Sequence, residues 1–280
     1  MFEVLRFLFS HPLTQNSKLK ALGRFLWWQI RCRVSNEIIY PWVGGTKLSV
    51  RRGMRGATGN IYVGLHEFTE MLFLLHFLRP GDLFLDIGSN VGSYSVLASG
   101  VCGARSWAFE PDPETASKLA RNLDINALQN IVTIYNVALG PANGDVGFTT
   151  GRDTENRIAE PGDRNARIVP QQCLDTLIQN NAPTMMKLDV EDYEDAVLDG
   201  AKLCVSNKSL LVIQGGGSQY FEKFLRQEGY KRVYYDPYRR KLLNDPIGLP
   251  SANVLFVRDD PDIATRLRDA SPVSVLGQSI

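Results

Sequence analysis

The chain has 280 residues, 44% of them hydrophobic, and 31 Lys and Arg stand against 30 Asp and Glu for a formal charge of +1. That composition belongs to a folded globular protein and excludes a disordered or fibrous one; so even a balance provides no whole-molecule field to hold nucleic acid or an anionic membrane. What remains is one large α/β domain, with or without a small extension, acting on a small neutral or locally charged acceptor, while oligomeric state is not legible at this level.

The start, Met1 to Leu13, carries Glu3 and Arg6 inside its apolar stretch and lacks a basic leader or a small-residue cleavage site. No run of about 18 apolar residues follows, so no membrane span is expected, and a cytoplasmic location follows by elimination. Cys32, Cys102, Cys173 and Cys204 are far apart and form no CxxC pair, which reads as free thiols and no metal site. Residues 1–60 read as an N-terminal helical extension. In it Leu19, Leu22, Phe25, Leu26 and Ile30 recur near helical spacing among Lys18, Lys20, Arg24, Arg31 and Arg33. Packing on the domain or on a second subunit is the commoner use of such a helix, and peripheral membrane contact through residues 18–33 is the alternative. Lys47 to Val50 reads as a strand and Arg51 to Gly64 as a loop.

The main domain is expected over residues 61–260. A helix from His66 to Leu78 ends at Pro80-Gly81. Leu83 to Ile87 then forms a buried strand, a glycine loop, and a helix from Val91 to Ser99, the β-loop-α unit that opens a nucleotide-binding fold. Strands follow at Ser106–Phe109 and Ile131–Tyr135, separated by a helix capped by Asp112 and Pro113. Residues 140–170 read as polar and irregular, with a hairpin at Asn143-Gly144 and a long loop from Gly151 to Arg167 placed to cover a substrate. Further strands are expected at Met185–Val190 and Leu210–Ile213, and Lys231–Tyr235 pairs with Asn253–Val257 as a terminal hairpin. Residues 261–280 read as a tail.

Four segments carry chemistry. In Asp86-Ile87-Gly88-Ser89-Asn90-Val91-Gly92 the glycines let backbone approach a ligand beside a helix N-terminus. Asp86 would repel a pyrophosphate but suits a ligand bearing an ammonium group, such as the methionine end of S-adenosylmethionine; the GxxxG spacing also differs from the GxGxxG of dinucleotide sites. Glu110, ending the next strand, can accept both hydroxyls of a ribose. Asn136 and Val137, after the third strand, stand where the chain meets an adenine edge. Asp189 and Glu191, at the carboxyl end of the fourth strand, are the candidates for substrate contact and catalysis, ahead of Asp192, Glu194 and Asp195. His66 and His76 have no metal-ligand partner in the local sequence, Gly215-Gly216-Gly217 is either a close-approach site or a plain turn, and Tyr238 to Lys241 reads as a solvated hairpin tip.

These segments, DIGSNVGSYS from Asp86, AFEPDPE from Ala108, LARNLDINAL from Leu119, NVALG from Asn136 and KLDVEDYEDAVLDGA from Lys187, resemble in order the FkbM family of S-adenosylmethionine-dependent methyltransferases. The resemblance runs from about Asn60 to Val257. It implies an α/β class I methyltransferase fold, Rossmann-like, with a seven-stranded mostly parallel sheet and an antiparallel edge hairpin. Carried onto matching positions, it implies S-adenosylmethionine held by Asp86, Gly88, Asn90, Gly92 and Glu110, to which the reading of the loops adds Ser89, Asn136 and Val137; Asp189 and Glu191 would face the reacting groups and the product would be an O-methylated sugar, glycan or natural product. Two positions depart from the family: Asp192, where glycine is usual, and Gln214, where a glutamate is frequent. They keep a non-catalytic cofactor-binding partner as the alternative, ahead of an NAD-dependent dehydrogenase.

Overall fold

The computed structural model describes every residue except Met1, residues 152–154, Pro161, Arg164, Gly217, Ile247 and residues 250–252. The described residues form a central sheet whose eight strands are numbered here along the chain: β1 (Leu83–Ile87), β2 (Arg105–Phe109), β3 (Val132–Tyr135), β4 (Met185–Leu188), β5 (Val212–Gly215), β6 (Tyr230–Asp236), β7 (Lys241–Leu243) and β8 (Val254–Arg258). Their order is β7-β6-β8-β5-β4-β1-β2-β3. β1 lies parallel between β2 and β4, with Asp86 opposite Ala108 on one side and Lys187 on the other. β8 runs antiparallel to both β5 and β6. This is the class I methyltransferase sheet with one strand more than expected: β6 pairs with β8 as anticipated, but its hairpin turn closes on the short β7.

β1 is buried on both faces, which is why its sequence is an apolar run rather than an alternation. Phe84, Met185 and Val212 pack toward α4 (Phe68–Phe77), α5 (Ser93–Gly100) and the helix Pro261–Arg268. Leu85, Ile87, Met186, Leu188 and Ile213 pack against the helices Leu174–Ile178, Glu194–Asp199, Lys202–Ser206 and Gln219–Gln227. After β2, α6 (Pro113–Asp124) starts as the sequence indicates, with the Asp112 carboxylate accepting from Thr115 N at 3.0 Å. Residues of the C-terminal segment, Ile263, Leu267 and Val275, are part of the first of these cores.

Three stretches differ from the sequence expectation. Arg55–Val63, read as loop, is a helix (α3) with Ala57, Gly59, Asn60, Ile61 and Val63 buried. Tertiary packing overrides the low helix propensity of its two glycines: the His66 ring takes the space where a Cβ of Gly59 would stand, and Asn60 Oδ1 accepts from His66 N at 2.8 Å. The described parts of residues 140–170 include regular strands that their polarity did not suggest. Ala138–Leu139, Ala166–Gln172 and Gly144–Thr149 form a three-stranded sheet, so Asn143-Gly144 begins the arm instead of forming its tip. Of the loop beyond, Arg152 lies outside the described residues, as does Gly217 of the glycine run.

The third difference concerns α2 (Lys18–Val34), which is helical as expected but packs through a different face. Ala21 and Trp28 are buried, Trp28 against Ile38, Leu48, Met54 and Ile61. Leu19, Leu26 and Ile30, three of the five residues of the expected apolar face, are exposed. An indole buries far more area than a leucine, and Trp28 lies on the opposite side of the helix from Leu19 at about 100° per residue. Among the described residues no helix is long and apolar enough to cross a membrane.

Candidate active site

All the candidate segments meet at the carboxyl edge of the central sheet, where the chain order reverses between β1 and β4, the usual place of a ligand in an open α/β sheet. Asp86, on β1, is buried. Its Oδ2 accepts from Ser95 N at 3.0 Å and from Ser95 Oγ at 2.7 Å, while Oδ1 has no partner. Burial pushes this carboxyl up and the Lys187 ammonium pulls it down. The buried hydroxyl of Ser89 also lacks a partner. A buried polar atom without a hydrogen bond is costly, so two such atoms, one at the end of β1 and one in the loop after it, fit a ligand that brings donors and acceptors of its own.

The loop conformation is set by the protein itself. Gly88 has φ +77°, and a Cβ there would run into the backbone oxygen of Asp189. Gly92 opens α5 at φ +84°, and a Cβ would meet Leu119. Both glycines are thus required by internal contacts, before any ligand is considered. Gly92 lines neither of the cavities described below.

Glu110 is 6% exposed. Oε2 accepts from Asn90 N at 3.0 Å and Oε1 from Asp112 N at 2.9 Å. Burial pushes its carboxyl up to about 7, against the two N–H bonds, which lower it. Each oxygen keeps a lone pair, so the group can still accept a pair of hydroxyls. Asn136 supports this loop from behind, its amide donating to the backbone oxygens of Glu110 at 2.7 Å and Pro111 at 3.0 Å. It lines neither of the two cavities described below; its neighbour Val137 lines the first.

The acidic segment after β4 divides into distinct roles. Lys187 Nζ donates to Asp189 Oδ2 at 2.7 Å and sits 4.8 Å from the centre of the Tyr94 ring. Burial works to lower this ammonium, but Asp189, Glu67 and Asp86 outweigh it and raise it; Lys187 is therefore a fixed cation, and Asp189 beside it is held below the usual carboxylate range. Glu191 is exposed, and partial burial together with Asp189, Glu194 and Asp192 pushes its carboxyl upward. Glu194 Oε1 accepts from Val190 N at 3.1 Å, and Asp195 Oδ1 from Ser218 Oγ at 2.6 Å.

Glu191 and Asp192 are both left-handed, at φ +52° and +70°. Aspartate is one of the few side chains that tolerates this region, which accounts for its standing where glycine is usual. The Asp192 side chain is 92% exposed, with Arg157 Nη1 4.0 Å away. Asp192→Gly is expected to leave stability within about 0.5 kcal/mol of the native chain, and Asp192→Val to cost about 1–2 kcal/mol. Urea unfolding of the two variants checks this; equal stability of both would show that the turn relaxes.

Two cavities open at this edge. The first is walled by Val137, Leu139, Phe148 and Ile158, with Glu110 and Tyr193 as polar groups. The second is charged, with Arg55, His66, Glu67, Asp86, Tyr94 and Lys187. Both are lined by Gly88, Asn90, Asp189 and Glu191, so the two spaces adjoin there. Arg55, His66, Glu67 and Tyr94 were missed in the sequence as cavity residues: Arg55 and Tyr94 lie on α3 and α5, and His66 and Glu67 in the bend between α3 and α4, where spacing speaks only of packing. Lys187 left a signal, a lysine inside the buried run Met185-Met186-Lys187-Leu188. His76 stays in the core, its Nδ1 2.6 Å from the Tyr235 hydroxyl. Gln214 is buried with its amide donating to Tyr94 Oη at 3.3 Å, and lines neither cavity. Among the described residues no group of His, Cys, Asp and Glu is arranged to hold a metal ion.

A family model described as the methyltransferase FkbM domain matches residues 86–243. Hexuronic acid methyltransferase AglP of Haloferax volcanii is 25% identical over 144 residues, which is 50% of this chain and 59% of that protein. The chain thus spans well under two thirds of that relative. Among solved structures, the methyltransferase FkbM of Methylobacillus flagellatus aligns over 72% of this chain and 55% of its own at 18% identity and TM-score 0.44. A putative methyltransferase of Streptococcus mutans, solved with S-adenosylhomocysteine, aligns over 67% and 94% at 11% identity and TM-score 0.41.

Proposed function

The chain belongs to the FkbM methyltransferase family, and from that premise we propose that it transfers the methyl group of S-adenosylmethionine to a hydroxyl of a sugar, a glycan or a related natural product. The observation that carries this reading is the pair of adjoining cavities, apolar with a ribose-type acid on one side and charged on the other, sharing Gly88, Asn90, Asp189 and Glu191. The name of the Haloferax relative supports a sugar as the acceptor class.

In this reading Glu110 accepts the ribose hydroxyls, Val137 and Leu139 flank the adenine, and the unpartnered Asp86 Oδ1 and Ser89 Oγ meet the amino-acid end. Bound S-adenosylmethionine supplies a methyl group already activated by its sulfonium, so the chain's own task is alignment and removal of a proton. Glu191, with its raised affinity for a proton, suits the base that takes the hydroxyl proton, since a base works best when its pKa approaches the working pH. Asp189, held ionised by Lys187, suits the group that orients the acceptor hydroxyl.

A purely binding role finds no support in Gln214, which lines neither cavity and reaches the second only through its hydrogen bond to Tyr94. A dinucleotide is disfavoured by the buried Asp86 carboxyl at the loop where a pyrophosphate requires donors. The test is a calorimetric titration with S-adenosylhomocysteine and NAD, followed by transfer of radiolabelled methyl to a panel of neutral and uronic sugars. Binding of S-adenosylhomocysteine with label on a hydroxylated acceptor is the expected result. Binding of NAD alone would overturn the proposal.

A further inference from the structure

α2 is apolar on two opposite sides. The inner side, with Ala21 and Trp28, packs on α3 and the strands Ile38–Pro41 and Lys47–Val50, and Arg24 Nε fastens it by donating to Tyr62 O at 2.9 Å. The outer side carries Leu19, Leu26, Ile30 and Val34, of which Leu19 is 86%, Ile30 65% and Val34 72% exposed. Trp27 adjoins them, partly exposed. At about 100° per residue these five fall within an arc of about 100°. Exposed apolar residues scattered singly need no explanation, but a stripe of them along one helix does.

The charge along the helix decides what covers the stripe. Lys18–Val34 contains five basic residues and no acid. On the helical wheel Lys20 and Arg31 border one side of the stripe and Lys18 and Arg33 the other. Among the described residues none of these four takes part in an ion pair. A second copy meeting this face about a two-fold axis would bring the same cations against each other. An anionic lipid surface instead offers apolar depth under the stripe, phosphates for the flanking cations, and the interfacial level at which tryptophan is favoured.

We propose that α2 lies flat on the surface of a membrane containing anionic lipid, with its outer stripe in the boundary between headgroups and acyl chains. α2 packs on α3, and Arg55 and Gly56 of α3 line the charged cavity, so this docking places that cavity close to the lipid surface. The even overall charge of the chain does not oppose it, because screening confines the attraction to charges within about 10 Å of the surface.

Co-sedimentation of the full chain with vesicles tests the proposal, using phosphatidylcholine alone or with about a third of phosphatidylglycerol. The native chain is expected to pellet with the anionic vesicles and to be released by high salt. Leu26→Ser with Ile30→Ser should weaken partitioning about tenfold or more, and Lys20→Glu with Arg31→Glu by more than fivefold per residue. All four sites are exposed or at the rim, and an unchanged circular-dichroism melting curve shows that each variant is folded. Absence of the native chain from the anionic pellet, or equal pelleting of the folded variants, would overturn the proposal. So would a dimer in sedimentation velocity that the Leu26→Ser, Ile30→Ser chain fails to form, since a second copy would then cover the stripe.

Discussion

Glu110→Ala is expected to weaken S-adenosylhomocysteine binding about 100-fold, the equivalent of two charge-assisted hydrogen bonds at about 1.5 kcal/mol each. The native chain adds a signature that a structural defect would not mimic. Burial holds the Glu110 carboxyl up to about 7 in the ligand-free protein, whereas ribose hydroxyls donate to its ionised form, so binding must remove the proton. Affinity should therefore fall as pH drops below about 7, by about tenfold per unit, and level off above it. The raised value also means that Glu110 favours the folded, ligand-free chain at low pH, and that this contribution is lost as pH rises from about 4.5 through about 7. The thermal shift produced by the ligand should accordingly be larger at pH 8 than at pH 6. Glu110→Gln keeps an oxygen for one of the N–H groups of Asn90 and Asp112, and should lose both affinity and the pH dependence. A native affinity independent of pH would remove Glu110 from the ribose.

Glu191→Gln should lower the rate of methyl transfer about 100-fold, the lower end of what a positioned base contributes, while leaving S-adenosylhomocysteine affinity within about twofold. In the native enzyme the rate should rise with pH along a limb displaced above the ordinary glutamate range, because Glu191 is pushed up by partial burial and by Asp189, Glu194 and Asp192. The variant should lose that limb. Full turnover in Glu191→Gln with a collapse in Asp189→Asn would transfer the proton to Asp189, against the pull of Lys187, which favours its ionised form.

The line of chemistry from Asp86 through Glu110 to Asp189 was legible because parallel strands end in loops on one edge, so residues far apart in the chain share a fixed address once the β-α alternation is recognised. Asp112 and Pro113 were legible for the same local reason that caps are. What escaped was anything decided across the fold. The helix Arg55–Val63 buries Ala57, Asn60, Ile61 and Val63 and sets Gly59 against the His66 ring, contacts that the spacing of the stretch does not announce. The face chosen by α2 depended on where Trp28 found a partner. Asn136, on the right strand end, turned to brace the backbone of Glu110 and left the cavity to Val137, a difference of one residue that a strand-end rule does not resolve.

Gly88 and the backbone oxygen of Asp189 touch so closely that no side chain fits between them. The loop after β1 and the loop after β4 are consequently held in register by the protein's own backbone, where Asp189 N also donates to Ile87 O at 3.1 Å. The entropy of bringing the nucleoside side and the acid side into register is lost when the chain folds and not again when a ligand arrives. Affinity and fold stability are thereby tied together: a change that loosens one of these loops is felt in the other.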